Sequence, residues 1–248
     1  PRYGFCLGDT RKADVAYVDL HGGGEIDGRF GAMDQVFPHE LLHVILRQLA
    51  GESPQGGANQ VHALGLRTDP AVAFDEGLAE HAQVVAIDDP DASPQTAALR
   101  WDGGIPARAE RRLQEYRRAL TATWAPATRA RLGFLLWYNE AEQVMRYHGV
   151  KQNRYVHEPL VPARLLREGD PDEADLLESV LPGDTRAPLR SAGRLRATEG
   201  VVSSAVHALM TSGGVGGRRQ EPSFYERWGA RAEEVDPVEN AYLKLFAV

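Results

Sequence analysis

The sequence predicts an α+β protein, predominantly helical, with a small N-terminal β element ahead of a helical body. Three observations carry this. "DVAYVDL", Asp14 to Leu20, is a short strand pattern that ends in the glycine turn "HGGG" at 21–24. Three later stretches repeat apolar residues at helical spacing and carry helix start or stop signals. The rest divides into helix-length segments joined by Gly- and Pro-rich connections, with no internal repeat.

The elements follow in order. "VFPHELLHVILRQLA", Val36 to Ala50, is expected as a helix with Pro38 in its first turn and Gly51 as its stop. Residues 51–69 read as a surface loop. The next helix is "PAVAFDEGLAEHAQVVAID", with Asp69 as N-cap and Pro70 at its first position. Loop signals return at 88–104, and a polar helix begins near Pro106. A third strong helix is "ATRARLGFLLWYNEAEQVMRYHG", stopped at Gly149. Helices are further expected at about 171–180, 198–212, 223–232 and 237–247. "GGVGG" at 213–217 reads as a link, since no Lys-Ser/Thr pair follows to make a phosphate loop. The division expected is 1–150 as a catalytic core and 151–248 as a helical C-terminal part packed on it, together one compact unit.

Composition narrows the function. With 248 residues, 43% apolar and 25% charged, the chain can bury a sizeable core. Its net charge of −7 argues against a nucleic-acid partner, which calls for a basic surface. The arginines at 108, 111, 112, 117, 118, 129 and 131 are interleaved with Glu110 and Glu115, as on a solvated helix face. The single cysteine, Cys6, excludes an internal disulfide and any Cys-pair metal site. No run of 18 apolar residues is present to span a membrane. No secretory signal is visible, and a soluble chain, cytoplasmic or exported and processed, is expected.

The chemistry centres on His39, Glu40 and His43, an H-E-x-x-H pattern. On a helix, residues four apart share a face, so both imidazoles reach one ion. Glu40 lies beside that ion, where a general base for a water belongs. A chance match on this composition is expected about 0.02 times per chain, so context decides. The bland alternative is a core helix whose histidines are satisfied by hydrogen bonds. Burying two histidines and a glutamate without partners would cost several kcal/mol, and a metal removes that cost. A catalytic zinc needs a third protein ligand and an open position. The glycine and third histidine of the metzincin pattern are missing after His43. "FDEGLAEHA" offers Glu76, then Glu80, then His81, the last pointing about 100° away from Glu80 on a helix.

With "FDEGLAEHA" beside it, the H-E-x-x-H segment resembles the gluzincin zinc metallopeptidases, of the thermolysin-like and zinc-aminopeptidase clan. In these a glutamate in an N-E-G-x-A-like segment completes the zinc site. The resemblance puts Glu76 in that role, with Asp75 where the family often has Asn. It makes Glu80 a carboxylate that orients a ligand histidine from behind. "YNEAEQVMR" is similar to an aminopeptidase pattern whose tyrosine stabilises the oxyanion, matching at Tyr138, Val144 and Arg146. Tyr138 is therefore the expected oxyanion donor, with Tyr155, His157, Tyr147 and His148 as rivals.

The resemblance covers about residues 36–149 and implies a zincin-type helical core. The 51–69 loop is longer than in the aminopeptidases, whose large flanking domains do not fit in 248 residues. "GAMDQ" at 31–35 lies too near the zinc helix to match their exopeptidase segment. "HGGG" is no α/β-hydrolase oxyanion loop, because G-x-S-x-G occurs nowhere in the chain.

The expected activity is zinc-dependent hydrolysis of peptide or protein substrates. Zn2+ is held by His39, His43 and Glu76, with Glu40 as base. The alternatives are an amidohydrolase acting on a small peptide-like metabolite and an inactive, zinc-stabilised binding module.

Overall fold

The computed structural model describes residues 4–13, 18, 32–50, 64, 65, 67–100, 107, 111, 146–158, 183 and 185–212. Over these residues the protein is predominantly helical with one short β-hairpin. In the hairpin, β1 (Gly4–Leu7) pairs antiparallel with β2 (Thr10–Ala13), Leu7 opposite Thr10. Gly8 opens its two-residue turn with φ +58°, the position at which a type II′ turn calls for glycine. The strand expected at Asp14–Leu20 lies outside the described residues, apart from Val18, which is in no regular element.

Helix α1 (Ala32–Ala50) starts earlier than expected, so Pro38 lies inside it. Proline has no N–H to give the Asp34 carbonyl, a loss of about 3 kcal/mol in a helix interior. Contacts from far along the chain secure the extra turn. Asp34 Oδ2 accepts from Thr96 Oγ1 at 3.0 Å and from the Ser93 N–H at 3.3 Å. Hydrogen bonding from the Ser93 side chain foremost, then from Thr96 and the Ser93 N–H, holds the Asp34 carboxyl below its ordinary pKa against the opposing effect of burial.

Helix α2 (Pro70–Asp88) has the cap its sequence predicts, Asp69 Oδ1 accepting from Ala71 N–H at 2.8 Å with Pro70 in the first turn. It is buried on most of its circumference, from Val72 and Ala73 through Leu78 and Val84 to Ile87. Its Glu76–Gln83 face meets α1, and because His39 contacts Gln83 while His43 contacts Asp75, the two helices run antiparallel.

The expected 88–104 loop contains a short helix, α3 (Pro94–Ala97), and a 3₁₀ turn at Ala98–Arg100. The next helical segment, α4 (146–151), continues past Gly149, where a stop is expected. Gly149 serves packing instead, since a Cβ there would lie 2.8 Å from the Tyr155 ring. The chain turns at Asn153, in the left-handed region (φ +55°) that Asn tolerates, into a 3₁₀ turn at Arg154–Val156. Then come α5 (Ala192–Arg196) and α6 (Glu199–Thr211), the latter near the expected 198–212.

The core joins α1, α2 and α6 through Leu42, Leu78 and Val206, with Leu46, Ala82, Val202 and Met210 packed around them. Each such side chain, fully buried, contributes about 1.5–3 kcal/mol. Gly77 permits the approach of α6, because a Cβ there would lie 2.6 Å from Val202 Cβ and 2.8 Å from the Glu199 carbonyl oxygen. Just before α2, Arg67 forms an antiparallel bridge with Thr198, and the Gly200 N–H donates to the Leu64 carbonyl at 2.7 Å. Buried Arg190 ties the same region together, donating to the carbonyls of Gly65 (2.9 Å) and His157 (3.1 Å). At the far end of α2, Asp88 faces a helix dipole that disfavours it. Lys151 offsets this at 2.8 and 3.0 Å, and Tyr147 donates at 2.6 Å, docking α4 there.

Two expectations follow. Gly77→Ala forces α2 and α6 apart against backbone and a β-branched side chain. It should destabilise by about 1–3 kcal/mol, read as a thermal midpoint several degrees lower. His81, buried on α2, faces His207 on α6 with ring centroids 5.8 Å apart. Burial, then the His207 charge, lowers its pKa to about 4, against 6.5 unfolded. Between those values the unfolded chain binds the extra proton, so stability should fall as pH drops from 6.5 towards 4. His81→Phe should flatten that slope in a series of thermal melts; an unchanged slope would place the acid sensitivity elsewhere.

Candidate metal centre

The three residues that the motif and the downstream helix single out are brought together by the antiparallel packing of α1 and α2. His39 Nε2 lies 3.3 Å from His43 Nε2 and 3.3 Å from Glu76 Oε2, and His43 Nε2 lies 3.4 Å from the same oxygen. These three donor atoms form a nearly equilateral triangle, and the group could hold a metal ion. The histidines meet because they are four apart on one face of α1. Glu76 meets them because α2 turns that face towards α1 while Gly77, next in sequence, meets α6.

The other ring nitrogens fix the tautomers. His39 Nδ1–H donates to Gln83 Oε1 at 3.1 Å. His43 Nδ1 lies 3.2 Å from Asp75 Oδ1. At His39 the proton therefore sits on Nδ1 and the Nε2 lone pair faces inward, while at His43 the Asp75 carboxylate lies within ion-pair distance of Nδ1 and favours the proton there. Three electron-rich atoms this close need positive charge between them. With no metal, a proton supplies it: burial opposes charge on His43, but Asp75 and Glu76 outweigh burial and raise its pKa to about 10. A cation that binds here displaces that proton.

The dimensions also discriminate between ions. Tetrahedral zinc, with bonds of about 2.0–2.1 Å, sets its ligand atoms about 3.3–3.4 Å apart. Two imidazoles and one carboxylate are a zinc-type donor set, whereas Ca²⁺ and Mg²⁺ favour oxygen. The side chains of His39, His43 and Glu76 keep 12–16% of their surface exposed, so the group is sheltered but open to solvent.

The other expected site residues are placed as follows. Glu40 is on α1, half-buried, directly after His39, and its carboxylate is not one of the three converging donors. Glu80 Oε1 lies 3.9 Å from His39 Nδ1, farther than Gln83, and its other oxygen lies 3.3 Å from Arg146 Nε. Tyr138 lies outside the described residues. Tyr155 is a core side chain, 1% exposed, with its ring between Gly149 and Gly200. His157 Nδ1 donates to the Ala187 carbonyl at 2.8 Å. Tyr147 binds Asp88, and His148 Nε2 donates to the Leu99 carbonyl at 3.2 Å. His81 faces α6.

Two contributors escape the sequence reading, Asp75 as the partner of His43 and Gln83 as the partner of His39. Gln83 had a signal, since it shares a helix face with Glu76 and Glu80, but a neutral amide does not advertise metal chemistry. Among the described residues, no helix is long and apolar enough to cross a membrane. Comparison with known protein families, curated proteins and solved structures finds nothing that matches this chain.

The Asp75 contact gives a direct test. Asp75→Ala should weaken zinc binding about 10–100-fold in competition with a chromophoric chelator, and His43→Ala should abolish it. Equal affinity in Asp75→Ala would mean that the 3.2 Å contact does not orient the ligand.

Proposed function

We propose that the chain is a zinc-dependent peptidase with a gluzincin-type site in a zincin-like core, in which His39, His43 and Glu76 hold the ion. The single observation supporting this is the triangle of Nε2, Nε2 and Oε2 at 3.3–3.4 Å, with each imidazole backed on its Nδ1. Zinc bound there lowers the pKa of a water towards neutrality and polarises the scissile carbonyl.

The chain's own residues do the rest. Glu40, rigidly placed one residue after His39, takes the proton of the attacking water and returns it to the leaving amine. Asp75 and Gln83 hold the two imidazoles so that their Nε2 atoms stay aimed at one point. Tyr138 donates a hydrogen bond to the developing oxyanion, the role its motif implies. The three ligands retain some solvent exposure, which a substrate needs to reach the site.

The test is Glu40→Gln. This variant should keep about one zinc per chain and cut hydrolysis of a quenched peptide library by about 10²–10⁴-fold. Chelation of the wild type should abolish the activity, and added zinc should restore it. A wild type that binds zinc but is as inert as Glu40→Gln, on peptides and small amides alike, would replace the peptidase with a zinc-stabilised binding module.

A further inference from the structure

We infer that Arg146 is a positioning residue of the metal centre, acting on His39 through Gln83; the inference rests on the metal reading of the His39–His43–Glu76 group. Arg146 Nη1 donates to Gln83 Oε1 at 3.0 Å, the same oxygen that accepts from His39 Nδ1 at 3.1 Å. Two donors on that atom settle which end of the amide faces the imidazole. The amide cannot flip without turning its NH₂ towards both. Gln83 is 2% exposed, so its amide is held by protein partners away from bulk solvent.

The guanidinium does a second thing with its other edge. Nε sits 3.3 Å from Glu80 Oε2, and Glu80 is 5% exposed. Among the described residues, Glu80 Oε1 is the carboxylate that approaches His39 Nδ1, at 3.9 Å. By engaging Glu80, Arg146 leaves the imidazole N–H to the neutral amide and cancels a buried charge behind the ligands. The two histidines are therefore backed differently, His43 by a carboxylate and His39 by an amide that a cation braces. A planar fork is suited to this, because it reaches two acceptors in fixed directions, whereas an ammonium is a single point charge. Arg146 comes from α4, so the helix that docks on Asp88 at the end of α2 also reaches Gln83 and Glu80, behind the metal site, about one to two turns back along α2.

The experiment titrates zinc into the full chain against a chromophoric chelator. Arg146→Met should weaken zinc binding about 10–100-fold, as the loss of an outer partner of a ligand does. Introducing it into a Gln83→Ala chain should cost no more than about twofold beyond Gln83→Ala alone, because the route is already cut. Arg146→Lys should recover only part of the affinity. Gln83→Ala, which keeps the Arg146–Glu80 pair, carries the test on its own if Arg146→Met does not fold. Affinity within twofold of wild type in Arg146→Met, while His39→Ala loses zinc, overturns the inference and leaves the metal reading standing. Fully additive losses also overturn it, since Arg146 would then act on the fold at large. If wild type and His39→Ala take up zinc equally, the metal reading fails and the inference with it.

Discussion

Two imidazole lone pairs and a carboxylate oxygen cannot share a space about 3.3 Å across unless positive charge joins them. Much else in the described structure keeps that arrangement in place. The antiparallel contact of α1 and α2 brings the atoms together. Gln83 holds the His39 N–H on the far side of its ring, and Asp75 favours the same arrangement at His43. The charges around the group are paired: Glu76 and Asp75 would offset a dication in the triangle, and Arg146 offsets Glu80. Paired charges in a half-buried site are far less costly than any one of them alone.

How much of this could be read from the sequence depends on how local the cause is. The start of α2 is legible to the residue, because Asp69 and Pro70 act within one turn. The start of α1 is not, because its first turn depends on Asp34 meeting Ser93 and Thr96, some sixty residues on. Gly149 reads as a stop by local rules and turns out to make room for Tyr155, a tertiary effect. The hairpin at Gly4–Ala13 carries a Gly-Asp turn signal, but β2 is polar and shows no apolar alternation to announce a strand.

The site divides in the same way. His39 and His43 are given by spacing on one helix, and Glu76 is reached by the chemistry that such a pair still lacks. Their partners are harder to see, because Asp75 reads as a letter in a motif and Gln83 as a neutral residue without a role. Arg146 stands out in the sequence only as the end of "YNEAEQVMR". Its side-chain fork acquires meaning once α4 is laid against α2.

Gly77 gives the site a dependence in time. Glu76 is set between α1, which supplies the histidines, and α6, which must settle against the very next residue. α6 ends at Thr211, well after both histidines and Glu76 have been synthesised. The H-E-x-x-H helix and its third ligand therefore exist in the growing chain long before the packing that aligns them. Only once α6 has docked against Gly77 is Glu76 fixed relative to the two histidines, so an ion bound as proposed would find its ligands aligned late. Afterwards an ion held by the native arrangement and not by the unfolded chain opposes its undoing. On the metal reading proposed above, occupancy would register completion of the three-helix core rather than formation of the motif.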